Sequence, residues 1–153
     1  MELITTKTIL ASDIGANENL FGGIMLSELD KAGVAYAAQL CDSPKLVIKK
    51  FEEVVFEKTV KIGNLIKIYG DVVKFGNTSI TLKLEARKHN VETGQQQLVC
   101  STVVVFVKIN DDGEPVPISD RVKVRYKERY KKYKRGLLTP EELEQEMTQK
   151  TNS

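Results

Sequence analysis

Asn19-Leu-Phe-Gly-Gly-Ile-Met-Leu-Ser-Glu-Leu-Asp30-Lys-Ala-Gly-Val-Ala-Tyr-Ala-Ala-Gln-Leu40 is the run from which the rest of the chain takes its arrangement. From Ile24 to Leu40 its residues are small or apolar, with no β-branched stretch to oppose a helix. Gly22 and Gly23 are poor interior helix formers but suit a first turn where backbone must come close to something. At about 100° per residue, Glu28, Lys31, Ala35 and Gln39 gather as the wettest side, and Leu26, Leu29, Gly33, Tyr36 and Leu40 lie opposite. Asp30 then falls on the apolar side, between Leu26, Ser27, Gly33 and Val34. A carboxylate there is costly unless paired or protonated. It reads either as a structural partner for a cation or loop, or as a group held ready for acid–base chemistry.

The 153 residues suffice for one domain with a real core. A net charge of +2 sets up no whole-protein field for nucleic acid. Cys41 and Cys100 stand in no metal-binding or redox spacing, and His89 is the single histidine. Core thiols fit a reducing compartment. No stretch reaches membrane-span length, and the N-terminus lacks a basic-then-apolar leader pattern, so a cytoplasmic protein is expected.

Outward from the helix, Met1 to Ala11 suits a short strand, and Ser12 to Asn19 a polar loop delivering the chain to a cap at Asn19. Pro44 sets the helix end near Cys41. Four strand-like runs follow: 46–56, 65–75, 80–91 and 98–109. In the third, Ile80, Leu82, Leu84 and Ala86 alternate with Thr81, Lys83, Glu85 and Arg87, a period of two. The fourth is rich in valine and reads as central, buried on both faces. Connections this short force antiparallel pairing, so the fold class is α+β, a sheet wrapped on one long helix. One helix covers one face only, and at least a dimer is expected.

After Pro115 and Pro117 the composition shifts. Residues 121–135 carry lysine or arginine at nearly every second position, interleaved with tyrosine, and Thr139-Pro-Glu-Glu142 opens a second, acidic helix. The expected division is therefore residues 1–117 as the domain and 118–153 as a helical tail. The basic run reads as a solvated or inter-subunit face or as an anion contact, and nucleic acid is disfavoured because nothing extends the patch.

Asp13-Ile-Gly15-Ala-Asn-Glu-Asn19-Leu-Phe21-Gly22-Gly23, followed by Leu29-Asp30, resembles the acyl-CoA thioesterase branch of the hotdog fold, in which a loop opening on aspartate leads through Phe-Gly-Gly into a central helix. Gly76-Asn-Thr78-Ser79 is similar to that family's Gly-x-Ser/Thr-Ser step, and Val60-Lys-Ile-Gly63-Asn64 to its Val-Gly-Asp, with Asn64 in place of aspartate. The resemblance spans roughly residues 3 to 115. Gly15 stands where many members have a thioester-holding asparagine, which leaves Asn17 or Asn19 as substitutes. Asn77 stands near where many have a phosphate-contacting arginine.

The resemblance implies hydrolysis of acyl-CoA to free carboxylic acid and CoA, without metal or other cofactor, by a dimer assembled into a hexamer of three dimers. Asp30 is then the base or nucleophile, and the Gly22 and Gly23 amides at the positive end of the helix are the oxyanion donors. Phe21 would line the acyl channel or staple the helix to the core. Gly76, Thr78 and Ser79 would touch pantetheine or phosphate, or simply make a turn. No Gly-x-Ser-x-Gly is present, which argues against a serine triad. A hotdog dehydratase would want a histidine in the site, and His89 sits on a strand. The competing function is a non-catalytic acyl-CoA sensor on the same fold.

Overall fold

The computed structural model describes residues 1–134, with side chains through 128. Its elements run β1 (Glu2–Thr8), α1 (Gly22–Cys41), β2 (Leu46–Phe56), β3 (Leu65–Phe75), β4 (Ser79–His89), β5 (Gln96–Lys108) and α2 (Asp120–Lys134). The helix expected from Thr139 lies outside the described residues. All neighbouring strands pair antiparallel in the order β1-β3-β4-β5-β2. The period of two in β4 puts Ile80, Leu82, Leu84 and Ala86 on one face, fully buried. They register with Phe106, Val104, Thr102 and Cys100 of β5 on one side and with Phe75, Val72, Gly70 and Ile68 of β3 on the other. β4, not β5, is thus the central strand. β5 lies beside it, where Val104 and Phe106 are buried against the helix side and Val105 and Val107 on the other.

Across that inner face lies α1, burying Met25, Leu29, Ala32, Gly33, Tyr36, Ala37, Leu40 and Cys41. Each large apolar side chain fully removed from water contributes roughly 1.5–3 kcal/mol. The contact is close because the helix presents small residues: a Cβ on Gly33 would stand 3.0 Å from Leu84 Cδ1 and from the Phe106 ring. Gly70 of β3 plays the reciprocal part, since a Cβ there would meet Ile4 Cδ1 at 2.6 Å and the Tyr36 ring at 3.1 Å. Burial first, and the nearby Glu2 carboxylate second, hold the Tyr36 phenol far above its ordinary pKa and therefore protonated.

The helix begins at Gly22, so Phe21 and not Asn19 occupies the cap position. It ends through Asp42 in the left-handed conformation (φ 51°), whose N–H donates to the Ala38 carbonyl. α2 docks on this end. Val122 joins the core, and Phe75 meets Tyr126 edge to face at 5.6 Å. The buried Arg125 donates to the Leu40 carbonyl (3.2 Å) and to Asp42 (2.8 Å), supplying α1 with a cationic C-terminal cap from a distant segment. Among the described residues no helix is long and apolar enough to cross a membrane.

Removing Arg125 strands a carboxylate that is only a quarter exposed and frees a helix-end carbonyl. Arg125→Met is expected to cost about 2–3 kcal/mol in urea unfolding. Arg121→Met, which removes a 3.9 Å exposed pair to the same Asp42, should cost about 0.5 kcal/mol or less.

Candidate active site

The entry to α1 is built by a tightly closed loop. Asp13, a buried carboxylate, accepts the Leu10 N–H at 2.9 Å, and its backbone carbonyl accepts the Phe21 N–H at 3.1 Å. Gly15 N–H donates to Asn19 O at 2.9 Å, and Ile14 and Leu20 form an isolated bridge. Between them Asn17 and Glu18 both take positive φ (61° and 58°), the two left-handed residues a tight reversal of this kind demands. Leu20 N–H then reaches the Val60 carbonyl at 2.7 Å, fastening the loop to the segment before β3. Lys7 lies 3.6 Å from both Asp13 and Glu28, tying strand, loop and helix together.

Phe21 O takes the N–H groups of Ile24 and Met25, leaving those of Gly22 and Gly23 without an acceptor among the described residues. Two parallel, unsatisfied donors therefore sit at the positive end of a 20-residue helix. The glycines do more than leave these amides bare. A Cβ on Gly23 would lie 2.7 Å from Phe21 Cε1, so the missing methyl is where the Phe21 ring lies. A Cβ on Gly22 would be 3.7 Å from Phe56 Cζ, the tip of a ring from the end of β2.

Asp30 is half-buried, not enclosed. The buried face of α1 centres near Leu40, Leu29 and Gly33, which puts Asp30 about 90° round from it. Leu26, read as buried, is half-exposed, whereas Met25 and Ala32, left out of the apolar side, are buried. The carboxylate has no hydrogen-bond or ion-pair partner among the described residues. Seven residues make two turns less about 20°, so Gly23 and Asp30 share one flank of the helix, about 10 Å apart along it. Ser27, Val34 and Ala38 continue that flank, exposed or half-exposed.

Phe21, Gly22, Gly23, Asn17, Asn19 and Asp30 are thus gathered at the helix entry and its open flank. Gly76, Thr78 and Ser79 are not. Their turn is closed by Gly76 N–H to Ser79 O at 2.8 Å, and Ser79 pairs with Val107 at the far end of the sheet. Ala86 and Cys100, the partners across from Phe56, lie about 23 Å along the strands from there. α2 stands at that far end too, where Ile118 N–H donates to Asn77 O. The basic helix is therefore about 27 Å along α1 from its own glycine pair.

Other candidate groups fall away. Burial pushes the Cys41 and Cys100 thiols up to about 11, so neither is a thiolate at neutral pH. His89 is half-buried and bound through Nδ1 to Gln96 Nε2 at 3.0 Å, and Gln96 also donates to the Tyr69 hydroxyl at 2.8 Å. A surface depression of about 510 Å³ beside His89, bordered by Asn64, Lys88 and Gln97, is lined by neither the helix-entry residues, nor Asp30, nor the Gly76 turn. Phe56 and the Lys7 tie were not legible in sequence. A strand-end phenylalanine has no distinguishing neighbours, and the ion triad joins residues far apart in the chain.

Asp13→Ala removes the acceptor for the buried loop and is expected to cost about 1–2 kcal/mol in denaturant unfolding, with faster amide exchange at Leu10. Lys7→Met, with its ammonium a quarter exposed, should cost about 1 kcal/mol or less.

With this geometry in hand, comparison with known proteins is decisive for the family. A model of the thioesterase superfamily matches residues 17–95, just over half of the chain and the part that holds the end of the loop, α1 and the Gly76 turn. A hexameric hotdog fold thioesterase of Campylobacter jejuni superposes with a TM-score of 0.72 and is 35% identical, over 81% of this chain and 95% of that one. A hexameric thioesterase from Yersinia pestis gives a TM-score of 0.72 at 26% identity, over 78% and 96% of the two chains. The acyl-CoA thioester hydrolase YciA of Salmonella typhimurium is 28% identical over 120 residues, 76% of this chain and 90% of its own length. The helix wrapped in an antiparallel five-stranded sheet is a hotdog fold, and the chain belongs to the thioesterase superfamily.

Proposed function

We propose that this protein hydrolyses the thioester of acyl-CoA, releasing a free carboxylic acid and CoA. The observation that carries the reading is the pairing, on one helix flank, of two unsatisfied amides with an unpartnered carboxylate about 10 Å away. The carbonyl oxygen of the thioester accepts from Gly22 and Gly23 N–H as it becomes anionic. Asp30 takes the proton of a water that attacks the carbonyl carbon, or attacks that carbon itself to form, once the thiol has left, an anhydride that water then opens to the free acid. Collapse of the tetrahedral intermediate breaks the C–S bond, and the sulfur leaves as CoA thiol once protonated. Water is the only co-reactant, and the reading includes no metal or cofactor. The names of the relatives, acyl-CoA thioester hydrolase among them, support this reaction.

Residues 118–153 are assigned here as a tail on the 1–117 domain, joined to its core through Ile118 and Val122, and the protein as a cytoplasmic one, consistent with its two free, buried cysteines. Within one chain the glycine pair and the Gly76–Ser79 turn stand about 23 Å apart. Both serve one ligand if two copies share the site, Asp30 and the amides coming from one and the turn with α2 from the other. Hexameric relatives support such an assembly for this chain, a dimer repeated three times. In that arrangement Lys123 and Lys127 of α2 meet the phosphates of CoA, not a nucleic acid.

Asp30→Asn should lower kcat by about 10²–10⁴ with CoA binding by calorimetry retained. Binding without turnover in either protein would instead establish a sensor. Lys123→Glu with Lys127→Glu is expected to raise KM several-fold at 50 mM salt, to leave kcat unchanged, and to converge on wild type near 0.5 M salt. Point changes are used because Ile118, Val122 and Arg125 are buried, so cutting the tail away would also strip the core.

A further inference from the structure

The glycine pair lies between two aromatic rings that are more exposed than cores allow. Phe21 is 59% and Phe56 53% accessible, although both are in contact with the first turn of α1. Phe21 is held there by its own backbone, which caps the helix. Phe56 comes from elsewhere: it closes β2, pairs with Cys100 and so stands on the helix side of the sheet, with Cζ 3.7 Å from the position of a Gly22 Cβ. Such large apolar surface beside unsatisfied donors is the mixed lining that small-molecule sites use.

We propose that Phe56 selects the acyl group, its ring packing against the first carbons beyond the carbonyl and favouring unbranched aliphatic chains longer than acetyl. The inference rests on the acyl-CoA reading above. A carbonyl oxygen about 2.9 Å from the Gly22 and Gly23 nitrogens puts the α- and β-carbons within roughly 6 Å of them. That is the shell in which the Phe56 ring tip lies. A straight chain gains contact by running along the ring face. A branch at the α-carbon, or an aromatic acyl group, must displace the ring.

The test compares wild type with Phe56→Leu and Phe56→Ala on acetyl-, hexanoyl-, isobutyryl- and benzoyl-CoA. Because the ring is half-exposed, both variants should fold, which thermal melts check. Wild type is expected to favour hexanoyl- over isobutyryl-CoA. Phe56→Ala should lose about tenfold or more in kcat/KM on hexanoyl-CoA, stay within about twofold on acetyl-CoA, and gain on isobutyryl- and benzoyl-CoA, with Phe56→Leu between. An equal loss on all four substrates overturns the proposal, since the ring would then merely brace the helix entry. So does a change in native mass by light scattering, which would make Phe56 a subunit contact. If wild type turns over none of the four, the thioesterase reading itself falls with it. Loss of selection alone leaves that reading standing.

Discussion

The approach of Gly33 to Leu84 and Phe106 is the contact on which this architecture turns. With a Cβ position only 3.0 Å from both side chains, α1 lies as close to the sheet as backbone and side chains permit. A helix so close cannot roll about its axis without driving Ala32 or Ala37 off the sheet or a larger residue into it. Its rotation is therefore fixed, and so is the flank left open. Gly23 and Asp30 share that flank because they are seven residues apart, but it faces outward only because Gly33 faces in.

The strands were readable because each obeys a simple rule. The period of two in β4 survives in the structure as complete burial of Ile80, Leu82, Leu84 and Ala86, and turns at Gly63, Gly94 and Gly113 all adopt the positive φ that their sequences suggest. The rotation of α1 was not readable to the needed accuracy. Taken as the pole opposite the wet side of Glu28, Lys31, Ala35 and Gln39, the inward direction falls about 50° from the centre of the residues that are buried, enough to place Asp30 on the apolar side. Two contacts correct this. Gly33 selects the inward line, and Lys7 from β1 draws Glu28 toward the sheet rim at 3.6 Å. A helical wheel contains neither, since both depend on residues from other elements. The cap at Asn19 failed for a related reason: the left-handed pair Asn17 and Glu18 reverses the chain early and hands Phe21 the cap position.

Of the candidate site, the part written in consecutive residues was legible: the loop aspartate, the glycine pair and Asp30 stand on one continuous segment whose geometry is that of one helix and its lead-in. Gly76, Thr78 and Ser79 belong to a motif in sequence order, yet order along the chain says nothing of the distance across a sheet. An antiparallel strand of eleven residues carries its two ends far apart, and the turn before β4 lies at the opposite end from the segment that follows β2.

The two ends of α1 are finished in opposite ways, and the difference separates structure from function. At the C-terminus two of the last four carbonyls are satisfied: Ala38 by the Asp42 N–H, Leu40 by the buried guanidinium of Arg125. At the N-terminus the loop brings backbone and side chains to bear on Leu10, Gly15, Leu20 and Phe21, yet stops short of Gly22 and Gly23. A chain able to cap one end from 85 residues away has the means to cap the other. Donors left unsatisfied among Phe21, Phe56 and the Asp30 flank are what the oxyanion role proposed for Gly22 and Gly23 requires.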